Sequence, residues 1–320
     1  MEFNYERLSK QEALAILNLP DEKLPKLLDI VYTIRKKYKG NMVSIQLLTN
    51  ARSGNCLQNC VYCAQSYKSS TDIDKYNFVS QDKLLQDSHT VNEKNLARHC
   101  IGFSGISYTD DEINRFADKI NSIKKETKTD ICCSIGFLTP EQARKLKEVG
   151  VNRINHNLNT SRNFYSNICT THTYEERLDN INMLQDIGFE ICCGGIIGLG
   201  ERKEDIVDML FDIQKIQPQA VPINFLIPIK GTALENADTS YLSPEYCLKV
   251  LSLARFLTPK ADIRCAAGRE IYLKGKEKLM FCAVDSIFAS GYLTTKGQSI
   301  DDTIKMITDA GFQYYIESSA

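Results

Sequence analysis

The chain has 320 residues, 43% of them hydrophobic and 25% charged, the balance of a globular protein large enough to bury a sizeable core. Its 39 basic residues face 40 acidic ones, and this leaves no single-signed field to attract nucleic acid or an anionic membrane. No apolar run approaches the roughly 18 residues of a membrane helix, and the N-terminal segment lacks the basic, apolar, small-residue order of a signal peptide. A cytoplasmic protein is expected, and in a reducing cytosol twelve cysteines point to metal binding or catalysis rather than disulfides.

Ser9-Lys-Gln-Glu12 has the form of a capping box, and an apolar helical pattern comes after it. A second helical pattern runs from Glu22 to Tyr38, with Gly40 as its stop. Residues 1–40 thus read as a short helical extension, and 41–320 as the main domain. There, β-rich runs alternate with amphipathic stretches. The predicted strands are Val43–Leu48, Ala97–Phe103, Thr129–Ile135, Asn152–Asn157, Phe189–Ile196, Ala220–Leu226, Asp262–Cys265 and Val284–Phe288. Predicted helices between them include Pro140–Val149, Tyr174–Ile187 and Pro244–Phe256. Eight strands alternating with helices suggest an α/β fold, a (β/α)8 TIM barrel, with an open doubly wound sheet as the rival.

The segment Thr49-Asn-Ala-Arg-Ser-Gly-Asn-Cys56-Leu-Gln-Asn-Cys60-Val-Tyr-Cys63 comes directly after the first predicted strand. Three thiolates on one short loop can wrap an iron–sulfur cube, leaving the fourth iron open to a chelating small molecule. Zinc also takes cysteines at short spacings, but a structural zinc wants four ligands, and no fourth Cys or His lies nearby in the sequence.

The CxxxCxxC spacing with Tyr62 before the last cysteine resembles the signature of the radical S-adenosylmethionine (SAM) superfamily, and the chain as a whole resembles the biotin synthase family. The stretches that carry the likeness are Asn155-His-Asn-Leu-Asn-Thr-Ser161, Thr170-Thr-His-Thr-Tyr-Glu-Glu-Arg-Leu-Asp179, Gly194-Gly-Ile-Ile-Gly-Leu-Gly-Glu201, Val221-Pro-Ile-Asn224 and Ala266-Ala-Gly-Arg-Glu270. The resemblance implies sulfur insertion into dethiobiotin, with a [4Fe–4S] cluster on Cys56, Cys60 and Cys63 that reductively cleaves SAM. It also implies a second, sulfur-donating cluster, [2Fe–2S] or larger, on Cys100, Cys132, Cys192 and Arg264. All four lie in predicted strands, whose side chains can converge on a barrel bore. Along the SAM site it implies Asn157, Asn159, Arg177, Gly194, Gly195, Ile196 and Asn224, with Arg177 on the methionyl carboxylate. An electron-donor protein such as flavodoxin or ferredoxin, and a homodimer, fit the same picture.

Asn159 stands where the family usually has Asp, keeping the acceptor but losing the charge. Cys133, Cys193 and Cys265 stand directly after three of the second-cluster positions. Alternation along a strand turns Cys133 and Cys193 toward the helices. Cys265 is the alternative to Arg264 as a ligand if a bulge turns its strand. Cys169, Cys247 and Cys282 read as structural. The rival functions are a sibling radical SAM enzyme, such as a hydrogenase-cluster maturase or a lysine mutase, and a non-catalytic iron–sulfur redox sensor.

Overall fold

The computed structural model describes residues 7–295 and 297–315. Two helices come first, α1 (Lys10–Leu17) and α2 (Leu24–Lys39). The capping box at Ser9 and Glu12 is formed, and Gly40 caps the end of α2. Both helices are tied to the main domain. Lys249 reaches the Leu19 carbonyl and, at 2.6 Å, Asp21. The buried Arg35 donates to the carbonyls of Met42 at 2.7 Å and Val284 at 3.3 Å.

The strands are β1 (Met42–Arg52), β2 (Arg98–Phe103), β3 (Ile131–Ser134), β4 (Val151–Asn155), β5 (Glu190–Cys192), β6 (Gly195–Ile197), β7 (Ala220–Phe225), β8 (Asp262–Cys265) and β9 (Ser286–Ala289). Every pairing is parallel and in chain order, and β9 returns to β1 with Ile45 opposite Ile287. The sheet is therefore closed, as the alternation of elements predicts. A further strand, β10 (Gln313–Tyr315), pairs with the first residues of β1 and has no counterpart among the predicted strands.

Helices α3 (Gln81–Glu93), α4 (Asp110–Glu126), α5 (Pro140–Glu148), α6 (Tyr165–Ile168), α7 (Tyr174–Asp186), α8 (Lys203–Ile216), α9 (Pro244–Leu257), α10 (Arg269–Tyr272) and α11 (Ile300–Asp309) fill the connections. Capping boxes at Thr109 with Glu112, Thr139 with Gln142 and Thr173 with Glu176 start α4, α5 and α7. Each such cap stabilises its helix by about 1 kcal/mol.

The predicted strand Phe189–Ile196 is in fact two, and the cause lies in a neighbour. Pro222, in β7, has no N–H to donate to a ladder. The β5 pairing stops at Cys192 opposite Ala220, and β6 begins at Gly195 opposite Ile223. Gly194, in the gap, packs so closely that a Cβ there would sit 1.8 Å from the Pro222 carbonyl oxygen. A Cβ on Gly195 would meet the Met209 sulfur at 2.1 Å. These two glycines are required by packing, whatever else they do.

Along each strand the side chains alternate between bore and helices. In β8, Asp262 and Arg264 face the bore, while Ile263 and Cys265 join the apolar shell under the helices. The amino-terminal end of the bore is closed by charge. Lys39 meets Asp262 at 2.7 Å, Arg153 meets Glu190 at 2.8 Å and Asp262 at 3.2 Å, and the buried Arg255 pairs with Asp285. Lys39, Asp262 and Asp285 also line a cavity of about 260 Å³ at that end.

Candidate active site

A cavity of about 250 Å³ opens at the carboxyl-terminal ends of the strands, where barrel enzymes carry their chemistry. Tyr62, Cys63 and Gln65 of the cysteine loop line its rim. Cys100, Cys132, Asn155, Asn157, Asn224 and Arg264 line the wall below, and Tyr292 to Thr295 cover one side.

The loop leaves β1 at Arg52 and is held mainly by its own backbone. Cys63 N–H donates to the Cys60 carbonyl at 3.1 Å, and Cys56 N–H to the Gln65 carbonyl at 3.3 Å. Ser66 Oγ donates to the Gln58 carbonyl at 2.7 Å, and Ser69 Oγ to that of Cys63 at 2.8 Å. All three cysteines remain partly exposed. That combination suits thiolates that must reach a cluster, since the peptide groups are satisfied while the sulfurs stay accessible.

The loop also docks on the segment between α6 and α7. Val61 N–H donates to the Ile168 carbonyl at 3.0 Å, and Asn59 Nδ2 to Thr170 Oγ1 at 2.7 Å. This contact brings Cys169 and His172 to Cys60, with the three ligand atoms within 4.8 Å of one another. A hydrogen bond from Cys60 holds the Cys169 thiol far below its ordinary range, and the same contact together with burial raises Cys60. Read along the sequence, the triplet has no fourth Cys or His beside it; the fold brings Cys169 and His172 to it. The short Cys169-x-x-His172 spacing is the one local signal of it.

The bore cysteines behave differently. Cys100 and Cys132 sit opposite each other in the β2–β3 ladder and are hydrogen-bonded, which lowers the Cys100 thiol and raises Cys132. Cys100 also donates to Gln46 Oε1 at 3.1 Å. Cys192 accepts from Asn155 Nδ2 at 3.2 Å and from Arg264 Nη1 at 3.6 Å. Burial raises its thiol, and the Arg264 guanidinium opposes that shift. Arg264 Nε donates to Ser286 Oγ at 3.0 Å, while its Nη2 is buried with no hydrogen-bond partner. An orphaned buried donor beside three thiols is costly unless another group completes it. The donor set therefore fits an iron–sulfur cluster bound by Cys100, Cys132, Cys192 and Arg264.

Cys265 is not brought to this group. The β7–β8 register runs without a bulge from Ala220–Asp262 to Ile223–Cys265, and Cys265 is fully buried in the outer apolar shell with Cys247 of α9. Cys133 and Cys193 lie in the same shell, as alternation predicts.

The remaining predicted residues divide. Asn157, Ile196 and Asn224 line the cavity. Asn157 Oδ1 accepts from Gly194 N–H at 3.0 Å; Asn224 spans from the Gly195 carbonyl at 3.2 Å to Ala267 N–H at 3.2 Å. Asn159 is absent from the lining and has φ 70°, a left-handed conformation that asparagine tolerates better than most residues. Its backbone pairs with Gly194 and Ile196 on both sides. Arg177 also lies outside the cavity lining. It donates to Tyr165 Oη, to the Asn157 carbonyl at 3.1 Å and to His172 Nε2 at 2.8 Å.

Comparison with known proteins shows the family. The Radical SAM superfamily pattern matches residues 50–213, and that of the Biotin and Thiamin Synthesis associated domain matches 222–313. Biotin synthase of Bacillus cytotoxicus is 40% identical over 307 residues, 96% of this chain and 92% of that protein. Biotin synthase of Geobacillus kaustophilus is 41% identical over 306 residues, 96% and 91% of the two chains. The chain belongs to the biotin synthase family of radical SAM enzymes. Two solved structures share the fold at low identity. Methylornithine synthase has a TM-score of 0.85 at 19% identity, covering 97% of this chain and 94% of that one. The FeFe-hydrogenase maturase of Carboxydothermus hydrogenoformans has 0.84 at 17%, covering 98% and 77%. The junction between the two matched patterns falls between α8 and β7, inside one closed sheet.

Proposed function

We propose that this chain is a biotin synthase, which inserts one sulfur into dethiobiotin by radical SAM chemistry. The observation that carries the reading is that cysteines of both sets, Cys63 of the β1 loop and Cys100 and Cys132 of the strands beneath it, line one cavity in a chain 40% identical to a biotin synthase along nearly its whole length. Dethiobiotin presents unactivated C–H bonds that no side-chain acid or base can ionise near neutral pH, so the cofactor supplies the difficult chemistry. Cys56, Cys60 and Cys63 would hold a [4Fe–4S] cluster, which would supply the electron for reductive cleavage of SAM.

The protein's own part is orientation and exclusion. The ion pairs lie at the lower end of the bore, and apolar residues such as Leu48, Phe225 and Phe288 line the cavity around its polar groups. Asn157 and Asn224 border the cavity at the β4 and β7 ends, and their amides support polar recognition of SAM or substrate. We assign the sulfur source, as a co-substrate, to a second cluster on Cys100, Cys132, Cys192 and Arg264. Arg177 holds His172 and the Asn157 carbonyl, and so acts on the SAM side of the site by positioning. The electron donor is a small redox protein of the flavodoxin or ferredoxin kind.

The hydrogenase-maturase and redox-sensor readings are disfavoured. The maturase likeness is one of fold at 17% identity, whereas the biotin synthase likeness is one of sequence at 40%. Anaerobic incubation with SAM, a reductant and dethiobiotin, and mass spectrometry of the products, is expected to yield biotin and 5′-deoxyadenosine. Cleavage of SAM without biotin in protein carrying both clusters would overturn the substrate assignment.

A further inference from the structure

Two cysteines of the bore face opposite kinds of partner. Cys192 is met by donors, Asn155 Nδ2 at 3.2 Å and Arg264 Nη1 at 3.6 Å, an arrangement that suits a metal-bound thiolate. Cys100 instead donates its own S–H to an acceptor, Gln46 Oε1, at 3.1 Å. We propose that Gln46 is a positioning residue for the second cluster: its amide turns over when Cys100 binds iron, and its N–H then supports the Cys100 thiolate.

The inference rests on the cluster assigned above to Cys100, Cys132, Cys192 and Arg264. A cysteine bound to iron has no hydrogen to give, so an amide oxygen left against its sulfur would meet negative charge. Gln46 is 1% exposed, and at the low dielectric of the bore that mismatch is costly. Half a turn of the amide exchanges its two ends and directs an N–H to the sulfur.

Little opposes the turn. The terminal torsion of glutamine is broad and roughly two-fold. The bond given up, from Gln46 Nε2 to Ser286 Oγ, is long at 3.4 Å. Ser286 can serve either arrangement, because a hydroxyl both accepts and donates. It accepts from Arg264 Nε at 3.0 Å, and its own hydrogen is free to serve the Gln46 oxygen after the turn. Ser44, Gln46 and Arg98 line the lower cavity, which leaves the amide room. Through Ser286, Gln46 joins Cys100 to Arg264, so one chain of hydrogen bonds connects two of the four proposed ligands.

The test uses full-length protein reconstituted anaerobically with isotopically enriched iron, with Mössbauer spectra at set potentials separating the two clusters. Gln46→Leu keeps bulk and removes the amide. Gln46→Glu keeps the shape and, ionised at about pH 8, can only accept. Both should bring the second cluster's midpoint potential below the wild-type value, because hydrogen bonds to cluster sulfurs set that potential. Gln46→Glu should lower it further, because it adds a negative charge. In both, the chelator concentration that removes half of the second cluster should fall about tenfold or more. The first-cluster signal should match the wild type's.

An unchanged potential and chelator resistance in Gln46→Leu would make the side chain a spacer and overturn the proposal. So would a Gln46→Glu protein that holds the cluster as the wild type does, since the residue would then serve only as an acceptor. Circular dichroism of the iron-free proteins checks folding, and either variant carries the test if the other does not fold. A wild type with no second-cluster signal would remove the cluster assignment itself, and this role with it.

Discussion

Cys56, Cys60 and Cys63 sit on one partly exposed loop braced by its own peptide groups, whereas Cys100, Cys132 and Cys192 are buried and come from three separate strands. The loop can adjust around what it binds. The bore set is held by the barrel itself: its spacing is set by β2, β3 and β5 of the closed sheet, and Gln46, Asn155 and Arg264 hydrogen-bond to its sulfurs. A site on a loop can be reached and reloaded, while a site in the bore is preorganised and hard to replace.

The sharpest way to break this comparison is to remove one cysteine from each set. Cys56→Ala, Cys60→Ala or Cys63→Ala is expected to abolish reductive formation of 5′-deoxyadenosine, measured without dethiobiotin. Cys100→Ala, Cys132→Ala and Cys192→Ala are expected to keep it. Their biotin yield should fall by more than the roughly 10–100-fold typical of losing a residue one step from a metal ligand. Normal biotin formation in the bore variants would remove the sulfur source from that site.

The rigidity attributed to the bore can be tested at Gly194. An alanine there would place its Cβ 1.8 Å from the Pro222 carbonyl oxygen, so two strands must move apart. We expect a loss of about 3 kcal/mol or more in denaturant unfolding of the cluster-free protein, at the upper end for overpacking. A loss below about 1 kcal/mol would show that the barrel wall yields easily.

A smaller effect is expected from the outer face of the strand that carries Cys100. His99 is buried there, with Nε2 2.7 Å from Thr49 Oγ1 and Nδ1 2.8 Å from Ser88 Oγ, and Thr49 donates to Asp87 at 2.6 Å. Burial lowers its pKa from 6.5 to about 4; nearby Asp87 opposes this and Lys83 adds to it. Below pH 6.5 the unfolded chain takes up a proton that the folded chain refuses. The stability His99 contributes is therefore complete above pH 6.5 and is lost as the pH falls toward 4, by up to about 3 kcal/mol. Urea midpoints between about pH 7 and pH 4 should fall more steeply for the wild type than for His99→Gln. Parallel slopes would show that His99 is not the group responsible.

The smallest effect separates Cys265 from its neighbour. Cys265→Ala removes one buried sulfur from the outer shell and should cost about 1 kcal/mol while leaving the Mössbauer signals of both clusters unchanged. Arg264→Met should alter the second-cluster signal. The reverse pattern would make Cys265 the ligand and require β8 to carry a bulge.

Much of this molecule is legible before folding. Caps and hydrophobic period act within about a turn of helix or a few strand residues, so α1 starts at the capping box predicted at Ser9, and α5, α7 and α9 start at the predicted Pro140, Tyr174 and Pro244. The loop triplet is equally local. The bore set is legible through the family resemblance, which picks out Cys132 and Cys192; alternation along a strand then turns Cys133 and Cys193 to the other face.

What the tertiary structure decided depends on residues far apart in the chain. The break between β5 and β6 is made by Pro222, on another strand. The regular register of β8 sets Arg264 in the bore and Cys265 under α9, a choice that sequence leaves open because a bulge is invisible to alternation. Cys169 and His172 meet Cys60 only because the β1 loop docks on the turn before α7, more than a hundred residues away. Pairing and docking are fixed by which surfaces the closed barrel brings together, and no local pattern carries that information.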